Sequence, residues 1–299
     1  MQIRNSEANQ QFTSWLCQMS YLPQYQGAIT LPTYISICTT TDELCTHVFP
    51  ITLFHTAQQN PTPFTHRVIF AMRNDTIDAI NQKVLHDIPG TECEYYSMVQ
   101  AEFAGPESGE NQLAVEYLLS LIPASLLPSK LKLKVGALVI LLRNLYPKDG
   151  LCNGTQMTVI RMQRSCIEVE ILEGTFDRTG KILPRIKLST TELELLFIFI
   201  HKQFPICLSF GITVNKARGQ LLDIVGIDLG ESVFIHDQLY VALLPATTVQ
   251  GLKVLQLAVH NRPTQNIVYS EVLIQGMLYS YNILYSIIYN LLTILLNLI

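Results

Sequence analysis

Apolar positions along the 299-residue chain fall into two textures. In the first, Phe12, Trp15, Leu16 and Met19 recur at helical spacing, which predicts an amphipathic helix over Asn9 to Met19. A Pro-, Gln- and Thr-rich stretch to about Thr65 reads as mostly loop, with a short helix over Thr41 to Phe49 that Thr41 caps. The run Arg67 to Met72 predicts a buried strand, and Asn74-Asp75 then caps a helix. That helix carries Ile77, Ile80 and Val84 on one face to about His86, and Ile88-Pro89-Gly90 ends it. A strand feeding a capped helix opens an α/β unit. A second short helix is expected over Gln112 to Ile122.

The second texture is a series of short apolar-alternating runs separated by turns. They are "LKLKVGALVILLRNL" (131–145), "GTQMTVIRMQ" (154–163), "CIEVEIL" (166–172) and "KILPRIKLS" (181–189). Four or five such strands in so short a stretch predict a small antiparallel barrel. "ELLFIFIHKQFPICLS" leads back to α/β texture, and "GLKVLQLAV" (251–259) reads as the last core strand. The barrel is therefore expected as an insertion in an α/β domain. Within "GITVNKARGQLLDIVGIDL" a polar knot of Asn215, Lys216, Arg218 and Gly219 separates two buried-looking runs. It is either an ordinary surface turn or a loop whose N–H groups and lysine read a phosphate.

Composition narrows the classes. Hydrophobic residues make up 48% and charged residues 15%, which excludes a disordered chain. The formal charge is −4, so any nucleic-acid role needs a local basic surface. Lys132, Lys134, Arg143, Lys148, Arg161 and Arg164 cluster on or near the expected barrel and supply a candidate. Seven cysteines are scattered with no C-x-x-C, and Cys45 and His47 have no second ligand pair, so no metal site is expected. The N-terminus has no apolar core of a signal peptide. Val272 to Ile299 carries no charge and is long enough for a bilayer, yet Gln275, Asn282, Asn290 and Asn297 interrupt it.

Searches for catalytic motifs return little. The nearest approach to G-x-x-x-x-G-K-[ST] runs from Gly174 to Gly180-Lys181-Ile182, with one residue too many and no hydroxyl, and reads as a strand-connecting loop. G-x-S-x-G is absent and the histidines are dispersed, leaving His236 beside Asp237 and Gln238 as the one of interest.

Three long blocks in order resemble the petite-integration-frequency (PIF) DNA helicases, especially the helicase part of Helitron transposons. "LKLKVGALVILLRNLYPKDGLCNGT", Leu131 to Thr155, resembles the family's K-V-G…R-N-L…G-L-C-N-G-T block. "QFPICLSFGITVNKARGQLLDIVGIDL" resembles the block ending N-K-S-Q-G-Q-T-L-D, and "FIHDQLYVAL" the final helicase motif. "FAMRNDTIDAIN" resembles the opening of the second motor domain. The resemblance implies a RecA-like second motor domain with an inserted SH3-like barrel, followed by an apolar C-terminal helix. It divides the chain into a remnant of the first motor domain and connector (1–65), the first part of the second domain (66–130), the barrel (131–195), the second part (196–268) and a non-family tail (269–299).

The same resemblance implies ATP-dependent 5′-to-3′ DNA unwinding with ATP and Mg²⁺, a single-stranded DNA partner and a nuclear location. The roles it implies are repair, recombination, telomere maintenance or transposition. It places Arg4, Lys216, Gly219, Gln220, Gln238 and Tyr240 at an ATP cleft. Asn153, Gly154, Asn215, Lys216, His201 and Lys202 are placed on DNA. Two departures limit it. The chain shows no phosphate loop, and Arg4 matches an arginine near the end of the first motor domain. In addition, Leu244-Pro245 stands where the family has Ser-Arg, so the arginine-finger position is Pro245. These departures imply a helicase-family chain that does not hydrolyse ATP alone, with a separate first motor domain as its expected partner. The alternatives are a non-hydrolysing module that binds single-stranded DNA or a protein partner, and a remnant tethered to a membrane through 272–299.

Overall fold

The computed structural model describes residues 7–20, 22–57, 64–102, 117–118, 127–190, 197–216, 221–256 and 263–269. The N-terminal segment forms α1 (Glu7–Met19), β1 (Gly27–Ile29), β2 (Ser36–Cys38), α2 (Thr41–Val48) and α3 (Ile51–Ala57). Then come β3 (Arg67–Ala71) and α4 (Asn74–Asp87). The stretch expected to be mostly loop before Thr65 thus holds, besides the expected helix α2, two short strands and a further helix, α3. The cap of α2 is Thr40, not Thr41: its Oγ1 accepts the Glu43 N–H at 3.2 Å. Glu43 reciprocates by accepting the Thr39 N–H through Oε2 at 3.3 Å.

Antiparallel strands follow: β4 (Cys93–Tyr96), β5 (Met98–Glu102), β6 (Lys130–Leu133), β7 (Leu138–Leu141), β8 (Gln156–Met162), β9 (Cys166–Ile171), β10 (Gly180–Pro184), β11 (Ile186–Thr190), β12 (Ile198–Gln203) and β13 (Ile206–Leu208). The chain then re-enters α/β structure through β14 (Gly211–Thr213), β15 (Ile224–Asp228), α5 (Gln238–Leu243), β16 (Leu252–Leu255) and β17 (Thr264–Asn266).

Five strands form a parallel sheet in the order β14-β3-β15-β16-β2. Alternation along β3 splits the core into two. Val68, Phe70 and Met72 pack with α1, α5 and Val225 and Ile227 of β15. Ile69 and Ala71 pack with α2, α4 and the apolar interior of the antiparallel lobe. Covering a parallel sheet on both faces removes water from near-continuous apolar strands, which is why β3 reads as an unbroken hydrophobic run. The N-terminal segment belongs to this unit. β2 is the sheet's edge strand, β1 pairs with β17, and the buried Asn9 accepts the Val249 N–H through Oδ1 at 3.0 Å.

The antiparallel lobe comprises a sheet in the order β10-β9-β8-β7-β13, the pair β4-β6, and the sheet β11-β12-β5. The single run expected at 131–145 breaks into β6 and β7 at Gly136, whose φ is +85°. β13 closes one edge of the five-stranded sheet, and two residues later its chain enters β14 of the parallel sheet. This short passage joins the lobe directly to the N-terminal end of β14. The loop from Gly174 to Lys181 joins β9 to β10 and begins β10 itself. Of the expected helix at Gln112 to Ile122, only Tyr117 and Leu118 lie among the described residues, and both are helical. Residues 270–299 of the tail lie outside them.

Candidate nucleic-acid interface

Adjacent parallel strands end together, so the residues following β3 and β14 face the same crevice, the usual ligand position in an open α/β sheet. After β14 the chain turns through a short 3-10 helix, Val214–Lys216, with Val214 buried and Asn215 and Lys216 exposed. After β3 come Met72, Arg73 and then α4. Asn81 of α4 ties the two sides: its Oδ1 accepts the Gly211 N–H at 2.8 Å and its Nδ2 donates to the Gly211 carbonyl at 3.1 Å. Asn81 is buried on the apolar face of α4, between Ile80 and Val84.

Between this corner and the antiparallel lobe lies a cleft of about 560 Å³. Lys130, Lys132, Arg143 and Lys216 bring four cations to it, with Asn153, Asn74 and Gln82 as amides and Asp78 as the acid. Burial, then the nearby Asp75, pushes the Asp78 carboxyl above its usual range. Lys130 bonds Glu94 at 2.8 Å and Lys132 bonds Glu92 at 3.0 Å. Lys130 and the Tyr96 hydroxyl draw Glu94 down to about 2. The Cys207 thiol lines the cleft but is pushed up to about 11 by burial, so it stays protonated and is no nucleophile. The lining of the cleft is thus mainly cationic and amide in character.

A second cavity, of about 590 Å³, lies on the other side of the wall. Asn74 and Thr213 line both cavities. Arg73, Asp75, Asn215 and Phe234 complete the second one with Met72. Arg73 is fixed by Asp75 at 2.7 Å and by Glu231 at 3.4 Å.

The structure places the sequence-derived residues unevenly. Lys216 and Asn153 meet in the first cleft, and Asn215 lines the second cavity. Gly154, at φ +93°, makes the turn after Asn153 and donates its N–H to the Leu141 carbonyl at 2.8 Å. His201 is 0% exposed in the middle of β12, and Lys202 follows it on the exposed face opposite Met98 and Lys187. Neither lines the clefts. Gln238 is buried, and its Oε1 accepts the Phe234 N–H at 2.9 Å, so it positions a loop. Tyr240 is half-buried on α5 against the core. Pro245 is buried and its carbonyl accepts the Leu222 N–H at 2.9 Å. Arg4, Gly219 and Gln220 lie outside the described residues.

Of the basic residues read as a barrel surface, Lys132 and Arg143 reach the cleft. Lys134 does not. It is buried and donates to the His86 and Ile88 carbonyls at 2.9 and 2.8 Å, closing the C-terminal end of α4. Arg161 is engaged by Glu168 at 2.9 Å. His236 accepts the Tyr269 N–H through Nδ1 at 2.9 Å and stacks on that ring, which tethers the two segments, and its Nε2 lies 3.3 Å from Asp237. Sequence reasoning passed over Lys130, Asn81 and Phe234. A polar residue on the buried stripe of α4 was the available signal for Asn81.

A site for Mg²⁺ needs open carboxylate oxygens. Asp228, at the end of β15, is buried and accepts the Gly230 N–H through Oδ1 at 2.8 Å, while Asp75 is engaged by Arg73. Among the described residues the donor set does not fit that ion. Among them, too, no helix is long and apolar enough to cross a membrane.

A family profile described as "DNA helicase Pif1, 2B domain" matches residues 116–162, the stretch holding β6, β7 and β8. The human ATP-dependent DNA helicase PIF1 is 28% identical over 193 residues. This chain is related to the PIF1-type DNA helicases. The human alignment spans 60% of this chain and 26% of the human protein. The PIF1-type fold also appears in solved structures. The Pif1 helicase from Candida albicans superposes with a TM-score of 0.60 at 20% identity, covering 91% of this chain and 58% of that one. Bacteroides Pif1 bound to single-stranded DNA superposes at 0.53 with 25% identity, covering 70% of this chain and 44% of that one. The PIF1-type likeness identifies the parallel sheet as a RecA-like fold carrying an all-β lobe.

Proposed function

We propose that this chain is the DNA-gripping part of a PIF1-type helicase motor, with the cationic cleft as its single-strand path. The observation that carries this is the placement of Lys130, Lys132, Arg143 and Lys216 around one cleft at the strand ends of a chain whose net charge is −4. Four convergent cations in a net acidic protein supply a local phosphate-binding surface. The likeness to a Bacteroides Pif1 bound to single-stranded DNA supports the reading.

In this reading the motor unwinds DNA 5′ to 3′ at the expense of ATP, with Mg²⁺, in nuclear repair, recombination or telomere maintenance, or in Helitron-type transposition. The triphosphate is gripped largely by a first motor domain, because no G-x-x-x-x-G-K-[ST] occurs within the 299 residues. Motor strokes come from two such domains closing on the nucleotide. The domain boundaries in this reading differ from 66–130, 131–195 and 196–268: the motor unit takes in the N-terminal segment from α1 to α3 together with β3, α4 and β14 to β17, and the β lobe takes in β4 to β13.

Pro245 favours a second reading, in which the chain binds single strands without hydrolysis. A buried proline whose carbonyl is engaged offers no charge to a γ-phosphate. Fluorescence anisotropy with a labelled oligothymidylate, across a salt series, tests the path. Binding should weaken steeply with salt, and Lys216→Ala should flatten the dependence. No binding at low salt would overturn the path. ATP turnover by the chain alone, stimulated by the oligonucleotide, would overturn both the shared-motor reading and the non-hydrolysing one.

A further inference from the structure

The second cavity adds a feature that phosphate binding does not use. Phe234 is 55% exposed, although its neighbour Val233 is buried. Single exposed apolar side chains are common on proteins, and Ile182 and Tyr146 are others here. Phe234 differs in three ways. It lines a cavity, it sits in a loop tethered along its length, and its companions are polar groups suited to a base.

The tethers are particular. Glu231 reaches Arg73 at 3.4 Å, and the Phe234 N–H donates to the buried Gln238 at 2.9 Å. The Asp237 N–H donates to the Ile267 carbonyl at 2.9 Å, and His236 accepts the Tyr269 N–H at 2.9 Å. An aromatic ring on a loop held this way loses little further freedom on binding. Around it stand the Asn215 amide, the Thr213 hydroxyl and the planar Arg73 guanidinium. A flat ring, a guanidinium and an amide together match a nucleobase: two planar faces for stacking and an edge donor and acceptor.

We infer that Phe234 is a stacking platform for a nucleobase, placed one step beyond the phosphate-binding cleft across the Asn74–Thr213 wall. This inference rests on the single-strand path proposed above and assigns the cavity to the base of a nucleotide whose backbone runs past Lys216. A base of single-stranded DNA and the base of a free nucleotide share this chemistry. Gln238 acts as a positioning residue for the platform.

The test uses the full chain. Trp15 is the only tryptophan and is buried in α1, so Phe234→Trp adds an exposed reporter. Its emission should be quenched on adding oligothymidylate, as a stacked base requires. Phe234→Ala should weaken oligonucleotide binding about tenfold, the order of one lost base stack, with the salt dependence unchanged. Phe234→Tyr, which keeps the ring, should bind like the parent. Quenching by ATP and not by the oligonucleotide would keep the platform and assign it to a free nucleotide. If the oligonucleotide binds the parent, Lys216→Ala flattens the salt dependence, and yet neither ligand quenches the new tryptophan, the platform is overturned while the path stands. Failure of the parent to bind, with no quenching by either ligand, overturns both. Far-ultraviolet circular dichroism of each variant checks that the fold is kept.

Discussion

His201 lies in the middle of β12 with its ring stacked on Phe199 at 6.4 Å and with both ring nitrogens buried and without hydrogen-bond partners. Burial alone pulls its pKa below the ordinary 6.5. His47 shifts the same way, chiefly through burial. The folded imidazoles then bind fewer protons than the unfolded ones at mildly acidic pH. Their stability contribution is complete above about pH 6.5 and is lost as pH falls below it, with a slope of at most about 1.4 kcal/mol per pH unit for each group. Thermal melts between pH 7.5 and 5 should show a falling midpoint, and His201→Phe should reduce the fall. At this scale residue type alone did not tell which polar side chains face inward. His201, Lys134 and Gln238 all carry polar atoms that the fold turns inward, and nothing in their local sequence distinguishes them from Lys216, which faces the cleft.

At the scale of elements, periodicity was a good guide. The predicted Asn9–Met19 helix, the strand from Arg67 and the helix bearing Ile77, Ile80 and Val84 all appear, because burying one apolar stripe stabilises each of them. Failures came where partners are distant in sequence. Ser36–Cys38 is a three-residue strand that has meaning only beside β16, and the run at 131–145 divides because β6 and β7 pair with different strands. The start of β16 shows how tightly these elements close. A Cβ added to Gly251 would fall on the Asp223 carbonyl oxygen, while the Gly251 carbonyl accepts the Val225 N–H at 2.8 Å. Gly251→Ala should therefore destabilise the fold by at least ~2 kcal/mol. A drop in the urea midpoint with an unchanged slope would show this; a midpoint equal to the parent's would contradict it.

At the scale of the whole molecule, charge placement matters more than charge total. Lys130 and Lys132 reach the cleft already engaged by Glu94 and Glu92, so an incoming phosphate competes with carboxylates. Glu94→Gln should strengthen oligonucleotide binding several-fold at low salt, by freeing Lys130 and removing a negative charge near the path. Lys216→Ala should lower the magnitude of the log–log salt slope by about 0.7, the value for one phosphate contact on a single strand. Anisotropy titrations at several salt concentrations measure both. The sequence by itself determined the two textures, the α/β unit and the short antiparallel strands, because hydrophobic period is a local property of the chain. It also determined the kinship, through motif blocks that remain contiguous. Only the tertiary structure decided which cations share a cleft, that Asn81 and Gln238 serve as inward-facing clamps, and that Phe234 and Arg73 line one cavity. Those relations depend on how β13 hands the chain to β14 and on which strand ends lie side by side, geometry set by packing between residues far apart in the sequence.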